Sequence, residues 1–208
     1  MKNLIKDFIR LSLRKWELFR FDPTKVRKIN LCCGTQKVPG YLRIDFCGQV
    51  DLRLNLQTDN LPFTEDALEV VTCVSAINYF TRARGREIVN EVYRVLKPGG
   101  IARFSVQDLE AIARRYVEKD LPFFFQKLPD GRERFEGVTL GDKFAAWFYG
   151  YVAVGPCRYF YDYDSLAYLF TSAGFSVVEQ KRYMDSRLEE IASIDNRPDQ
   201  MFFLEAVK

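Results

Sequence analysis

The chain has 208 residues, 48% hydrophobic and 28% charged, the profile of one globular domain able to bury roughly 70% of its unfolded surface without disulfide or metal staples. A net charge of +3 argues against wholesale nucleic-acid binding. The complete absence of histidine excludes Ser-His-Asp and Cys-His catalysis and removes the commonest zinc ligand, so no metal is expected.

Residues 3–20 read as an amphipathic helix, with Ile5, Phe8, Ile9, Trp16 and Phe19 recurring at helical spacing. Such a helix either packs on the domain or, being basic on its other face, touches a membrane surface or a partner. Asp7, Arg10 and Arg14 interrupt any signal-peptide core, and no run approaches the roughly 18 apolar residues of a spanning helix. Asp22-Pro23 ends the first helix. A strand over Val26–Leu31 then runs into Cys32-Cys33-Gly34-Thr35, and a second over Tyr41–Asp45 ends on an acid. Val50–Leu56 is read as a third strand, and Leu68–Ser75, apolar and β-branched, as a buried parallel one. Arg84–Leu96 carries helical spacing and is broken by Lys97-Pro98-Gly99-Gly100, expected to be a structural turn. Ile101–Val106 is a fifth strand, and Asp108 caps a helix running to about Lys119.

The pattern loosens over residues 120–160, with one aromatic helix expected near Asp142–Tyr151. Regular structure resumes with a helix over Tyr163–Ala173, a strand over Phe175–Lys181 and a last strand over Met201–Val207. Strands alternating with helices predict an α/β fold with a mainly parallel sheet covered on both faces. The five cysteines, Cys32, Cys33, Cys47, Cys73 and Cys157, form an odd set without a C-x-x-C pair. A reducing, cytoplasmic setting is therefore expected.

The constellation that carries chemistry is strand–turn–helix at Asn30-Leu31-Cys32-Cys33-Gly34, followed by Asp45. Small residues at the carboxyl end of a first strand let a ligand approach the backbone, and an acid ending the next strand can accept both hydroxyls of a ribose. An ordinary tight turn and a helix cap would give the same residues. A dinucleotide oxidoreductase would want G-x-G-x-x-G at this place, whereas the loop reads C-C-G-T-Q-K.

The whole run from Ile29 to Gly100 resembles the class I S-adenosylmethionine-dependent methyltransferases of the type-11 group. In that family a strand meets a (L/D)-x-G-C-G loop, then an acid, a (D/N)-x-x-x-L-P-F segment, an apolar strand, a helix and R-V-L-K-P-G-G. Here these are Leu31-Cys32-Cys33-Gly34, Asp45, Asn55 ahead of Leu61-Pro62-Phe63, Leu68–Ser75, and Arg94–Gly100. Ser105-Val106-Gln107-Asp108-Leu109-Glu110 is similar to the family's strand-end V-P-D-L, and Asp195-Asn196-Arg197-Pro198 before Phe203-Leu204-Glu205-Ala206 is similar to the carboxyl end of one bacterial subgroup. The resemblance leaves residues 1–25 and 120–160 unplaced. It departs from the family at Cys32, which replaces the first glycine of G-C-G, and at Ile77-Asn78-Tyr79-Phe80, where Glu-His is common.

The resemblance implies a Rossmann-like three-layer sandwich with a seven-stranded sheet and its last strand antiparallel. It implies an N-terminal helix over residues 1–25 and a methyltransferase domain over 26–208, with an acceptor-side insertion at about 120–160. S-adenosylmethionine is the implied cofactor. Cys32, Cys33 and Gly34 would lie against its methionine moiety, Asp45 on the ribose, Asn55 and Leu56 on the adenine, and Ser75 with Ala76 beside the sulfonium. The implied activity is methyl transfer to a small-molecule or saccharide acceptor by in-line attack on the sulfonium methyl, in which positioning carries most of the catalysis. If the acceptor arrives protonated, Asp108 and Tyr79, both following strand ends, are the candidate bases. A catalytically inactive methyltransferase fold that binds or scaffolds is the alternative, and no nucleic-acid partner is expected. The aromatics of residues 120–160 suit either an acceptor-binding cover or a satellite core, with Arg158, Tyr159, Tyr161 and Asp162 at the exit fitting a polar acceptor.

Overall fold

A computed structural model describes residues 21–149 and 156–208, so the helix expected over residues 3–20 lies outside the described residues. Seven strands form one sheet: β1 (Lys28–Leu31), β2 (Leu42–Asp45), β3 (Leu52–Arg53), β4 (Leu68–Val74), β5 (Leu96–Gln107), β6 (Val177–Lys181) and β7 (Met201–Val207). Their order is β3-β2-β1-β4-β5-β7-β6, all parallel except β7, which runs antiparallel to both β5 and β6. The Rossmann-like α/β fold with an antiparallel last strand is thus the one expected. Among the described residues no helix is long and apolar enough to cross a membrane.

Strand alternation sorts the two faces. On one face Ala102, Phe104 and Val106 of β5 and Phe202, Leu204 and Ala206 of β7 join the main core. Helix α1 (Arg82–Val95) lays Ile88, Val89, Val92 and Val95 on this face, and Thr81 caps its start by accepting the Arg84 N–H at 3.2 Å. Helix α5 (Tyr163–Ala173) adds Leu166, Leu169 and Phe170. It begins with an Asp162–Ser165 capping box and ends at Gly174, whose φ of +105° few side chains would tolerate. Each such buried apolar side chain contributes about 1.5–3 kcal/mol.

The other face differs from expectation. No helix follows the Gly34 turn, and residues 32–41 form consecutive turns instead. That face is covered by Val38, Tyr41, Leu188 and Ile194, the last two from the segment leading through the short helix α6 (Ile191–Ile194). Because this layer is thin, polar residues of β5 and β7 meet it through charge. Arg103, fully buried, pairs with Asp195 at 2.6 Å and lies 3.6 Å from Glu205, and it also donates to the carbonyls of Arg182 and Asp185. Glu205 in turn accepts from Ser186 and from Arg187. Removing one partner of such a pair costs about 3–5 kcal/mol because the remaining charge stays buried. The network fastens residues 182–195 to the sheet and so fixes where Asn196 and Arg197 lie.

Three further details correct the sequence reading. Lys97–Gly100 is not a turn between elements but an irregularity inside β5: Leu96 pairs with Leu68, and pairing resumes at Ile101 with Val70. The third strand shrinks to Leu52–Arg53. The insertion holds, between helix α2 (Leu109–Val117) and α5, the short helix α3 (Leu121–Phe124) and helix α4 (Leu140–Tyr149). Ile112, Phe123, Phe124, Phe135 and Trp147 pack there into a separate apolar cluster.

Candidate active site

β1 lies between β2 and β4, so the chain crosses from one side of β1 to the other, and at this switch point the carboxyl strand ends part to leave a crevice. A cleft of about 460 Å³ occupies it, within the range of small-molecule sites. Its wall gathers Cys32, Gly34, Asp45, Asn55, Leu56, Ser75, Ala76 and Tyr79 from the sequence-based candidates. Phe46, Cys47, Leu54, Gln57, Phe80, Pro156 and Arg158 complete it. Arg158 is among the residues the sequence offered for a polar acceptor, and most of the other additions are chain neighbours of the recognised positions.

The first wall is the β1–β2 turn. Cys32 has φ +51° and Gly34 φ +54°, and a Cβ on Gly34 would meet nothing within 4 Å. The turn is therefore a backbone cradle open to the cleft. Gly34 donates its N–H to Asp45 Oδ2 at 2.9 Å, while Asp45 Oδ1 accepts the Phe46 N–H at 2.7 Å. Each carboxylate oxygen has two lone pairs, so Oδ2 retains one for a ligand hydroxyl. Phe46 leaves an apolar ring 52% exposed on the cleft wall. Cys33 is not on that wall: its side chain is buried, and its N–H donates to the Ile44 carbonyl at 3.2 Å.

The loop after β3 forms the second wall. Asn55 Oδ1 accepts the Gln57 N–H at 3.0 Å, so the amide expected to face adenine also shapes its own turn. Arg84 holds this loop against α1 by donating to the carbonyls of Leu56 and Asp59, each at 2.6 Å. Gln57 Nε2 reaches the Tyr79 carbonyl at 3.2 Å and joins the second wall to the third.

The third wall is the end of β4. Ser75 has φ +55°, another left-handed non-glycine residue on the cleft. Backbone strain of this kind concentrates at ligand sites. Ser75 Oγ accepts from Gln107 Nε2 at 3.0 Å and from Arg197 Nη1 at 3.4 Å. Behind it Asn78, fully buried, donates through Nδ2 to Cys157 Sγ at 2.8 Å, and its carbonyl accepts the N–H groups of Arg158 and Tyr159. These bonds bring Pro156–Arg158 across to the cleft.

The two candidate bases separate. Tyr79 lies on the cleft wall, whereas Asp108 does not. Asp108 Oδ1 accepts the Ala111 N–H at 3.0 Å and its backbone N–H donates to Gln200, which turns the carboxylate toward α2 as its cap. Burial holds its pKa above the ordinary carboxylate range. Cys32 and Cys33 are held as neutral thiols. The Cys32 thiol is pushed well up by its hydrogen bond to Cys73 and by burial, and burial with the Asp45 charge pushes Cys33 up to about 11. Thiols so shifted stay protonated near neutral pH.

The turn, the strand-end acid and the open backbone of this cleft fit the methionine and ribose portions of S-adenosylmethionine. Residues 32–104 match the family described as a methyltransferase domain. Over 142 residues the chain is 32% identical to the ubiquinone/menaquinone biosynthesis C-methyltransferase of Desulfotalea psychrophila, a match covering 67% of this chain and 52% of that protein. The chain therefore spans about half the length of this curated relative. Its fold is similar to that of a methyltransferase from Archaeoglobus fulgidus, with TM-score 0.51, 12% identity, and 97% of this chain and 94% of that one covered. A methyltransferase from Thermotoga maritima aligns over 100% of both chains at TM-score 0.49 and 16% identity. Local sequence and strand order thus agree: residues 32–104 carry the methyltransferase domain, and the strand order is that of the class I S-adenosylmethionine-dependent methyltransferases, whose cofactor is S-adenosylmethionine.

Proposed function

We propose that this chain transfers a methyl group from S-adenosylmethionine to a small-molecule acceptor entering beside Tyr79, Pro156 and Arg158. The observation that carries this reading is the Gly34–Asp45 cradle opening onto a single cleft that also reaches the end of β4. Gly34 and Cys32 would hold the methionine portion, Asp45 the ribose, and Asn55, Leu56 and the Phe46 ring the adenine. When bound, the cofactor supplies an electrophilic methyl group. The protein's own part is to orient the acceptor and to exclude water, which in well-ordered systems accounts for about 7–11 kcal/mol of barrier lowering. Phe46, Leu54, Leu56 and Phe80 give the cleft its apolar share, and Tyr79 is one of the wall residues that would contact an acceptor hydroxyl.

The size of the cleft favours a small acceptor over a macromolecule, and the relative from Desulfotalea psychrophila bears the name of an enzyme of small-molecule biosynthesis. Calorimetry with S-adenosylmethionine and S-adenosylhomocysteine tests the cofactor reading. Saturable heat with both ligands is the expected result. No heat and no thermal shift with either at millimolar concentration would overturn it.

A further inference from the structure

We propose that the acceptor is an acid, and that Arg158 and Arg197 bind its carboxylate or phosphate group at the β4 end of the cleft. This rests on the methyltransferase reading and adds to it the class of acceptor. Arg158 is on the cleft wall and exposed, its backbone fixed by the 2.8 Å bond from its N–H to the Asn78 carbonyl. Arg197 is exposed and is not itself on the cleft wall, but it touches a residue that is. Its guanidinium lies 3.4 Å from Ser75 Oγ, and Ser75 lines the same cleft. Two residues earlier, Asp195 is locked into the buried pair with Arg103, so the position of Arg197 is built by the fold rather than left to a loose loop.

Arg43, Arg84, Arg94 and Arg187 each hold a carboxylate, whereas among the described residues neither Arg158 nor Arg197 does. The acid nearest Arg197 in sequence, Asp199, is engaged by Arg134 at 3.2 Å. Among the described residues of the cleft wall the one acidic side chain is Asp45, which already accepts from Gly34 and Phe46. The cleft thus has an acidic group suited to hydroxyls and a basic one suited to an oxyanion. A concave, partly apolar wall strengthens such a field.

A second observation lies behind Ser75. Gln107 is 8% exposed, donates to Ser75 Oγ, and keeps its Oε1 buried without a partner among the described residues. It holds the hydroxyl against which Arg197 rests, so Gln107 is a positioning residue for the anion site. Guanidinium pairs are the usual solution to binding carboxylate and phosphate, because their donors match the spacing of the oxygens.

The test is a titration of the protein, saturated with S-adenosylhomocysteine, with inorganic phosphate at constant ionic strength. One saturable phosphate site is expected, weakened about tenfold or more by Arg158→Gln and by Arg197→Gln. In both variants the affinity for S-adenosylhomocysteine should stay within about twofold of the parent. Absence of a saturable site, or unchanged phosphate binding in both variants, would overturn the proposal. So would a loss of S-adenosylhomocysteine affinity in Arg158→Gln, since that places the guanidinium on the cofactor. A parent protein that binds no S-adenosylhomocysteine fails the methyltransferase reading instead, and the same phosphate titration of the free protein then decides on the two arginines.

Discussion

The backbone N–H of Gly34 donates to Oδ2 of Asp45 at 2.9 Å, tying the turn after β1 to the end of β2 across the floor of the cleft. Asp45 therefore braces the cradle, since its other oxygen accepts from Phe46, besides being the proposed ribose acceptor. Asp45→Ala should weaken S-adenosylhomocysteine binding by about 1–3 kcal/mol, the loss attached to a charged hydrogen-bond acceptor, and should also lower thermal stability. Calorimetry beside a melting curve separates the two effects. Unchanged affinity would place the ribose elsewhere.

Cys32 offers a different reading of the same turn. Its φ of +51° is the left-handed conformation, which costs a non-glycine residue about 1–2 kcal/mol. Cys32→Gly removes that strain and opens the cradle, while freeing the unfolded chain by about 0.4–1 kcal/mol and losing the thiol contact with Cys73. Stability should change by no more than about 1 kcal/mol, and S-adenosylhomocysteine should bind at least as tightly as to the parent. Markedly weaker binding would show that the thiol makes a contact glycine cannot, and a parent that binds cofactor without turnover would favour the inactive, ligand-binding alternative.

These two positions also show how far the sequence could be read. The succession of strands and helices along the chain, the acid at Asp45 and the turn at Cys32–Gly34 follow from local pattern, because each depends on residues within a few positions of one another. What pattern could not reach was the second face of the sheet. Its cover comes from residues 182–194, held by the buried pairing of Arg103 with Asp195, an interaction between positions 92 apart in the chain. An arginine in the apolar strand Ile101–Val106 gives no local sign of its partner. Asp108 lies off the cleft wall for a related reason: its strand-end position is visible in sequence, but which way its carboxylate turns depends on the first N–H groups of α2 and on Gln200. Arg158, which the sequence offered for a polar acceptor, is held at the cleft through Asn78, and Arg197 touches the cleft wall at Ser75, again contacts between distant positions.

Asp108 yields a test with a defined sign. Burial raises its pKa in the folded protein, so the folded state binds the proton more tightly than the unfolded chain. Its stabilising contribution is then fully present below the unfolded pKa and is lost as pH rises through the folded value. At neutral pH the ionised carboxylate is a burden that its capping bond only partly offsets. Asparagine keeps a capping oxygen without the charge. Asp108→Asn should therefore melt higher than the parent at pH 7, with the advantage shrinking to nothing below about pH 3.9, the ordinary aspartate value. Turnover, read as release of S-adenosylhomocysteine, should be retained, because Asp108 is not on the cleft wall. A general base would instead show a fall of about 100-fold or more.

The aromatic insertion gives the last prediction. Phe123, Phe124, Phe135 and Trp147 are all buried, and Trp147 packs against Phe148 and Phe160 with ring centroids 5.1 and 5.6 Å apart. Lys143, only 1% exposed, anchors the cluster by donating to the Phe135 carbonyl and to Glu133, each at 3.0 Å, beneath the Phe125 ring. A cover that opens for each acceptor would have to break these contacts every cycle, whereas a satellite core keeps them. Trp147→Ala should thus cost about 3–5 kcal/mol of stability. Its affinity for S-adenosylhomocysteine should stay within about twofold, since Trp147 is absent from the cleft wall. Hydrogen exchange should find Phe144–Phe148 protected in the free protein and unchanged when ligand is added, because the cluster owes its order to packing alone. Exchange that is fast without ligand and slows only on binding, together with a small stability loss in Trp147→Ala, would make the insertion a moving lid and the aromatics its contact surface.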